Sequence, residues 1–158
     1  MRIFQADAMV VCSEEALLVH GAAVDEGVID ALDERFTALS GELTLITDHL
    51  TDFIHGPLLT EMAGVSGLRL PNASGQEIRL YLFRGELVQR VLWGGNPDKP
   101  VEYHDGELGI APRNSFSKWV EERLGYCAPW ERETRLKLLR LRDESRKASA
   151  FLFEGFLA

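Results

Sequence analysis

The sequence predicts an α+β fold: a mostly antiparallel sheet with helices packed on one side of it. Three observations carry this expectation. Short apolar runs are separated by clusters of turn-forming residues. One early segment repeats its apolar residues at helical spacing, and the chain closes on a charged, leucine-rich helix. With 158 residues, 46% of them hydrophobic, the chain is one domain large enough to bury a full core.

Residues 7–11 and 16–20 are two apolar runs around Ser13-Glu14-Glu15, the pattern of a hairpin with polar residues at its turn. Over 28–39, Ile29, Leu32, Phe36 and Leu39 recur at three- and four-residue steps and share one helical face. Gly41 follows where a helix end favours the left-handed region. Residues 43–47 read as a short strand and 48–56 as a polar connection. Pro57 opens a short helix reaching Met62, because its missing N–H would be unpaired there anyway. Two stronger strands, 65–70 and 78–84, flank the turn cluster Pro71-Asn72-Ala73-Ser74-Gly75. In the second, Ile78, Leu80 and Leu82 share one face, and Arg79, Tyr81 and Phe83 the other. A last strand is expected over 88–93. The final helix, about 130–154, sets Leu138, Leu141, Ala148 and Leu152 in one stripe, with Glu131 and Glu133 in its first turn. Its aromatic tail, Phe151, Phe153 and Phe156, has two readings: packing back onto the domain, or pairing with a second copy.

A formal net charge of -8, spread along the chain, argues against a nucleic-acid surface. No apolar segment is long enough to span a bilayer. The two cysteines, Cys12 and Cys127, make neither a disulfide framework nor a metal spacing, and a cytoplasmic setting is expected. His49, Asp52 and His55 are close in sequence but match no zinc pattern. No glycine-rich loop opens a helix after a strand, and Ser115 has no base nearby. The chain reads as not an enzyme. Cys127 reads as a small buried hydrophobe.

The remaining stretch, from Trp93 to Trp130, holds all three tryptophans and four of the six prolines. It runs Trp93-Gly94-Gly95-Asn96-Pro97, then Pro112-Arg113-Asn114-Ser115-Phe116, then Trp119 and Glu121, and ends on Pro129-Trp130. That series resembles the tongue of the PHY domain of phytochromes. Gly64-Val65-Ser66-Gly67-Leu68 and the strand ending Arg84-Gly85-Glu86 resemble the two strands that precede it. The resemblance covers roughly residues 7–143 and implies a GAF-like sheet with a tongue over about 93–125. Periodicity alone does not separate that fold from other α+β domains.

The resemblance implies a function without catalysis. In the family, the tongue reaches across to an adjacent GAF domain and caps its bilin pocket. Arg113 would pair with an aspartate of that domain in one light state and Ser115 would replace it in the other. Trp93, Gly94, Gly95, Pro112, Phe116, Trp119 and Glu121 would exchange packing as the tongue refolds between hairpin and helix. Residues 114–124 suit either form, since Phe116, Val120 and Leu124 recur at helical steps while the same stretch alternates as a strand. The chain itself is expected to bind no cofactor, the bilin residing in the GAF domain. Expected partners are that domain, a downstream output domain such as a histidine kinase, and a second copy along the C-terminal helix. The first strand follows Met1 closely, so the chain reads as an excised fragment or a short natural relative. The competing reading is a stand-alone GAF-like sensor or dimerising module, in which Tyr81, Phe83, Arg84 and Trp93 would line a ligand site, although the same residues read as core, which is the favoured reading.

Overall fold

The computed structural model describes residues 2–55, 61–71, 75–88 and 112–157, with side chains for 117–148 in the last span. Among these, strands β1 (Ala8–Cys12), β2 (Leu17–Gly21), β3 (Thr44–Thr47), β4 (Met62–Pro71) and β5 (Glu77–Gly85) form one antiparallel sheet. Their order is β2-β1-β5-β4-β3. Among the described residues, three helices are complete enough to bound: α1 (Glu26–Ala38), α2 (Pro112–Arg123) and α3 (Thr134–Leu157). No helix among the described residues is long and apolar enough to cross a membrane.

The hairpin forms where the polar triplet predicts it. The Ser13 N–H donates to the Ala16 carbonyl (2.9 Å), and the Ser13 hydroxyl oxygen accepts the Ala16 N–H (3.0 Å). Helix α1 starts two residues before the apolar pattern, because the Asp25 carboxylate accepts the Val28 N–H and caps it. Ile29, Leu32 and Phe36 are buried as expected, whereas Leu39 is 39% exposed. The helix has ended by then. Arg69 of β4 donates through Nη2 to the carbonyls of Phe36 (2.5 Å) and Leu39 (3.1 Å) and lies over the Phe36 ring. A cation on the last carbonyls both satisfies them and opposes the helix dipole.

The sheet is covered on both faces, not on one. Tyr81, Phe83, Val65, Val10 and Ala8 pack under α1 with Ile29, Leu32 and Phe36. Leu80, Leu82 and Leu68 pack on the opposite face with Leu138 and Leu141 of α3 and with Trp130. Both alternating sets of β5 are apolar, which is the pattern of a strand buried on two sides. Helix α3 lies over β4 and β3. At the far edge β2 is exposed along its whole length, with Leu18 66% exposed.

Other boundaries differ from expectation. Met62 opens β4 and is not part of a helix, and the register shifts between Met62 and Gly64. Val88 is helical, so no strand begins there. Helix α3 starts at Thr134, leaving Trp130, Glu131 and Glu133 ahead of it. Ala148 is exposed, and Leu152 lies outside the described side chains.

A buried polar group ties α1 to the sheet. Arg79 grips Asp33 with two bonds, Nε to Oδ1 (2.6 Å) and Nη2 to Oδ2 (2.9 Å), and the Tyr81 hydroxyl donates to Oδ1 (2.5 Å). Burial first, and the nearby Asp33 charge second, push the Cys12 thiol up to about 11. Burial, then the Asp33 hydrogen bond, hold the Tyr81 phenol far above its ordinary range. Both groups keep their protons in the folded state at pH values where the unfolded chain has released them. Folding therefore retains protons, and stability falls as pH rises. The Cys12 contribution is complete below its ordinary value of 9.0 and is lost between there and about 11. Its slope is about 1.4 kcal/mol per pH unit. Urea midpoints measured across this alkaline range are expected to fall, and less steeply in C12A. A profile flat to the top of the range would show that neither group is held neutral.

Candidate functional site

The candidate site is the place where the chain leaves the sheet after β5 and returns to it before α3. On the outgoing side the Glu86 N–H donates to the Glu61 carbonyl (3.0 Å) and the Leu87 N–H to the Tyr126 carbonyl (2.8 Å). On the returning side the Cys127 N–H donates to the Asp48 carbonyl (2.9 Å). Antiparallel bridges join Glu86 to Cys127 and His49 to Tyr126. The returning leg thus lies between an extension of β5 and the segment just after β3. Both ends of the excursion are held at one spot.

Local chemistry explains the sharpness of the return. Helix α2 runs to Arg123 and is followed by Gly125 at φ +78°, the left-handed residue that ends a helix. A Cβ on Gly125 would also stand 3.2 Å from His49 Nε2. The Gly125 N–H donates to Glu86 Oε1 (2.5 Å). The His49 ring stacks on Tyr126, centroids 4.2 Å apart and planes within 9°. Its Nδ1 stands 3.0 Å from Asp52 Oδ1, and its Nε2 2.8 Å from the Thr51 hydroxyl. Cys127 is buried, its thiol donating to the Ala128 carbonyl, and it fills the space above Gly64. His49 and Asp52, whose spacing matches no zinc pattern, belong to this clamp.

Beyond Cys127 the leg passes Arg84. That guanidinium donates to the carbonyls of Ala128 (3.0 Å) and Pro129 (2.9 Å), and to that of Phe4 (2.6 Å). It also lies 3.9 Å from the Trp130 ring, whose N–H donates to the Thr47 carbonyl (2.8 Å). These holds explain why α3 starts at Thr134: Pro129 and Trp130 are fixed in a non-helical path first.

Of the residues singled out from sequence, Trp93, Gly94 and Gly95 lie outside the described residues. Pro112, Arg113, Ser115 and Phe116 belong to the start of α2, where the backbone is helical, and their side chains lie outside the description. Proline suits a first helical position. Trp119 is half-buried and Glu121 exposed. Tyr81 and Phe83 are fully buried on the α1 face, while Arg84 is used on the α3 face, so these three do not line one ligand site. A cleft of about 350 Å³ lies elsewhere, on α1 against Phe53, Ile54 and His55. The clamp residues Glu86, His49, Gly125 and Tyr126 escaped sequence reasoning. The Gly125-Tyr126 pair ahead of Pro129-Trp130 is the one local signal that a return turn stands there.

The family described as PHY, phytochrome region, matches residues 1–149. Cyanobacterial phytochrome B of Nostoc sp. is 44% identical over 68 residues, 42% of this chain and 9% of that protein. Phytochrome-like protein Cph1 of Synechocystis sp. is 28% identical over 123 residues, 77% of this chain and 16% of its own length. Phytochrome C of Sorghum bicolor is 24% identical over 135 residues, 83% of this chain and 12% of its own. The chain therefore spans less than a fifth of the length of these relatives.

Proposed function

The chain belongs to the PHY, phytochrome-region, family of photoreceptor domains, and from that premise we propose that residues 93–125 form a tongue capping the bilin pocket of an adjacent GAF domain. In this reading the domain relays the light state to an output domain such as a histidine kinase. The observation that carries the reading is the clamp: both ends of the excursion are tied to each other and to the sheet. Such a base leaves the arm free to change its internal structure while its root stays in place.

The chemistry of the switch follows from geometry. In the helical α2, positions 113 and 115 lie about 200° apart around the axis, whereas in a strand they share a face. In the helix only one of Arg113 and Ser115 can face a given carboxylate of the GAF domain, whereas in the strand both can, so refolding changes which contacts are available to it. Bilin attachment requires an accessible thiol, and the burial of both Cys12 and Cys127 supports a chromophore held by the GAF domain. Helix α3, about 36 Å long at 1.5 Å per residue, meets the sheet through Leu138, Leu141 and the Arg142 bond to the Arg69 carbonyl. Arg146, Lys147 and Ala148 are exposed beyond that contact, which suits pairing with a second copy.

The test is a photoreceptor in which this chain follows a bilin-loaded GAF domain. A charge-assisted hydrogen bond contributes about 1.5–3 kcal/mol, so R113A is expected to change the ratio or lifetime of the light states roughly 10- to 150-fold. S115A should act on the opposite state. Equal lifetimes in wild type and R113A would sink the relay, as would a covalent visible band on this chain expressed alone with a bilin source.

A further inference from the structure

We propose that Arg84 couples the tongue to the C-terminal helix, a positioning role that rests on the signalling reading above. Arg84 stands at the end of β5, two residues ahead of Glu86 in the outgoing leg. Its side chain, in a residue only 3% exposed, holds two successive carbonyls of the returning leg, Ala128 and Pro129. The other Nη reaches Phe4 in the N-terminal turn. The face of the guanidinium meets Trp130, which packs in the same apolar cluster as Leu138 of α3. One side chain thus touches the strand that feeds the tongue, the leg that returns from it and the residue that leads into α3.

The residue type matters. A planar fork can serve carbonyls on different segments while presenting its face to an indole. An ammonium is a point charge and cannot do both. Between Cys127, tied to Asp48, and Thr134, the start of α3, the chain passes Pro129, whose φ is locked. A shift of the returning leg therefore reaches α3 through a short, stiff stretch whose main hold on the body is Arg84 with Trp130.

Hydrogen exchange on the full chain tests this in four forms: wild type, His49→Ala, Arg84→Lys and the double variant. H49A removes the ring stacked on Tyr126 and loosens the leg upstream of Arg84. In the wild-type background it is expected to speed exchange over 131–138 about three- to tenfold. In the R84K background H49A is expected to add nothing there, while amides of 65–69 and 79–83 keep their protection throughout. No change over 131–138 in H49A would overturn the proposal. So would an equal acceleration in both backgrounds, because the coupling would then bypass Arg84. Should R84K not fold, W130F enters the same cycle, since it removes the bond to Thr47 and retains a ring. The measurement needs neither bilin nor GAF domain, so its failure leaves the relay standing, and failure of the R113A test leaves the latch standing.

Discussion

Replacing Asp33 with alanine is expected to destabilise the domain by about 3–5 kcal/mol, the cost of stranding a buried charge whose partner has been removed. Asp33 accepts both bonds from Arg79 and the bond from Tyr81, so its loss strips the phenol of its acceptor and leaves the guanidinium only the longer contact to Glu77 (3.7 Å). Arg79 is 9% exposed and Tyr81 is fully buried, and neither can turn to water. A domain of this size has only about 5–15 kcal/mol in hand. Urea denaturation of D33A should show a large fall in midpoint at unchanged slope. Y81F, which removes one donor and leaves the Arg79 pair intact, should lose no more than about 1.5–3 kcal/mol. If D33A lies within 1 kcal/mol of wild type, α1 is held by its apolar face alone.

Gly64→Ala is expected to cost about 1–3 kcal/mol by overpacking. An ideal Cβ there would stand 2.1 Å from Cys127 Sγ and 3.0 Å from the Thr47 carbonyl oxygen. The carbonyl belongs to β3 and cannot yield cheaply, so the returning leg has to move. Cys127 is held by its N–H to Asp48 and by its thiol to Ala128, and the displacement should therefore unseat the stack of His49 on Tyr126. Removing the sulfur in G64A/C127A is expected to restore more than half of the lost stability, read as a double-mutant cycle of urea midpoints. A midpoint in G64A equal to wild type would mean that the leg is not seated on Gly64.

The two kinds of information in the sequence fared differently, for a physical reason. Alternation in β5 and the stripe of Ile29, Leu32 and Phe36 are local patterns, and each led directly to a buried face. The phytochrome resemblance was legible in Trp93-Gly94-Gly95, Pro112 to Phe116 and Trp119 because a motif series needs no geometry. Asp33 sits among charged neighbours and gives no local sign that it meets Arg79, 46 residues away. Arg84 looks like any strand terminus until three carbonyls from distant segments converge on it. Leu39 fitted the helical stripe, yet Arg69 takes the carbonyls that would have continued the helix. Tertiary partners of polar groups are set by where the chain comes back, and periodicity does not report that.

The bond from Leu87 to Tyr126 has a further consequence for how such proteins diversify. Closing a flexible loop costs entropy that grows with the logarithm of its length, so doubling the enclosed segment adds only about 0.6 kcal/mol. The sheet is nearly indifferent to the size of the cassette it carries. Changes of length inside that segment, short of Gly125 and its bond to Glu86, become inexpensive experiments for evolution or for an engineer.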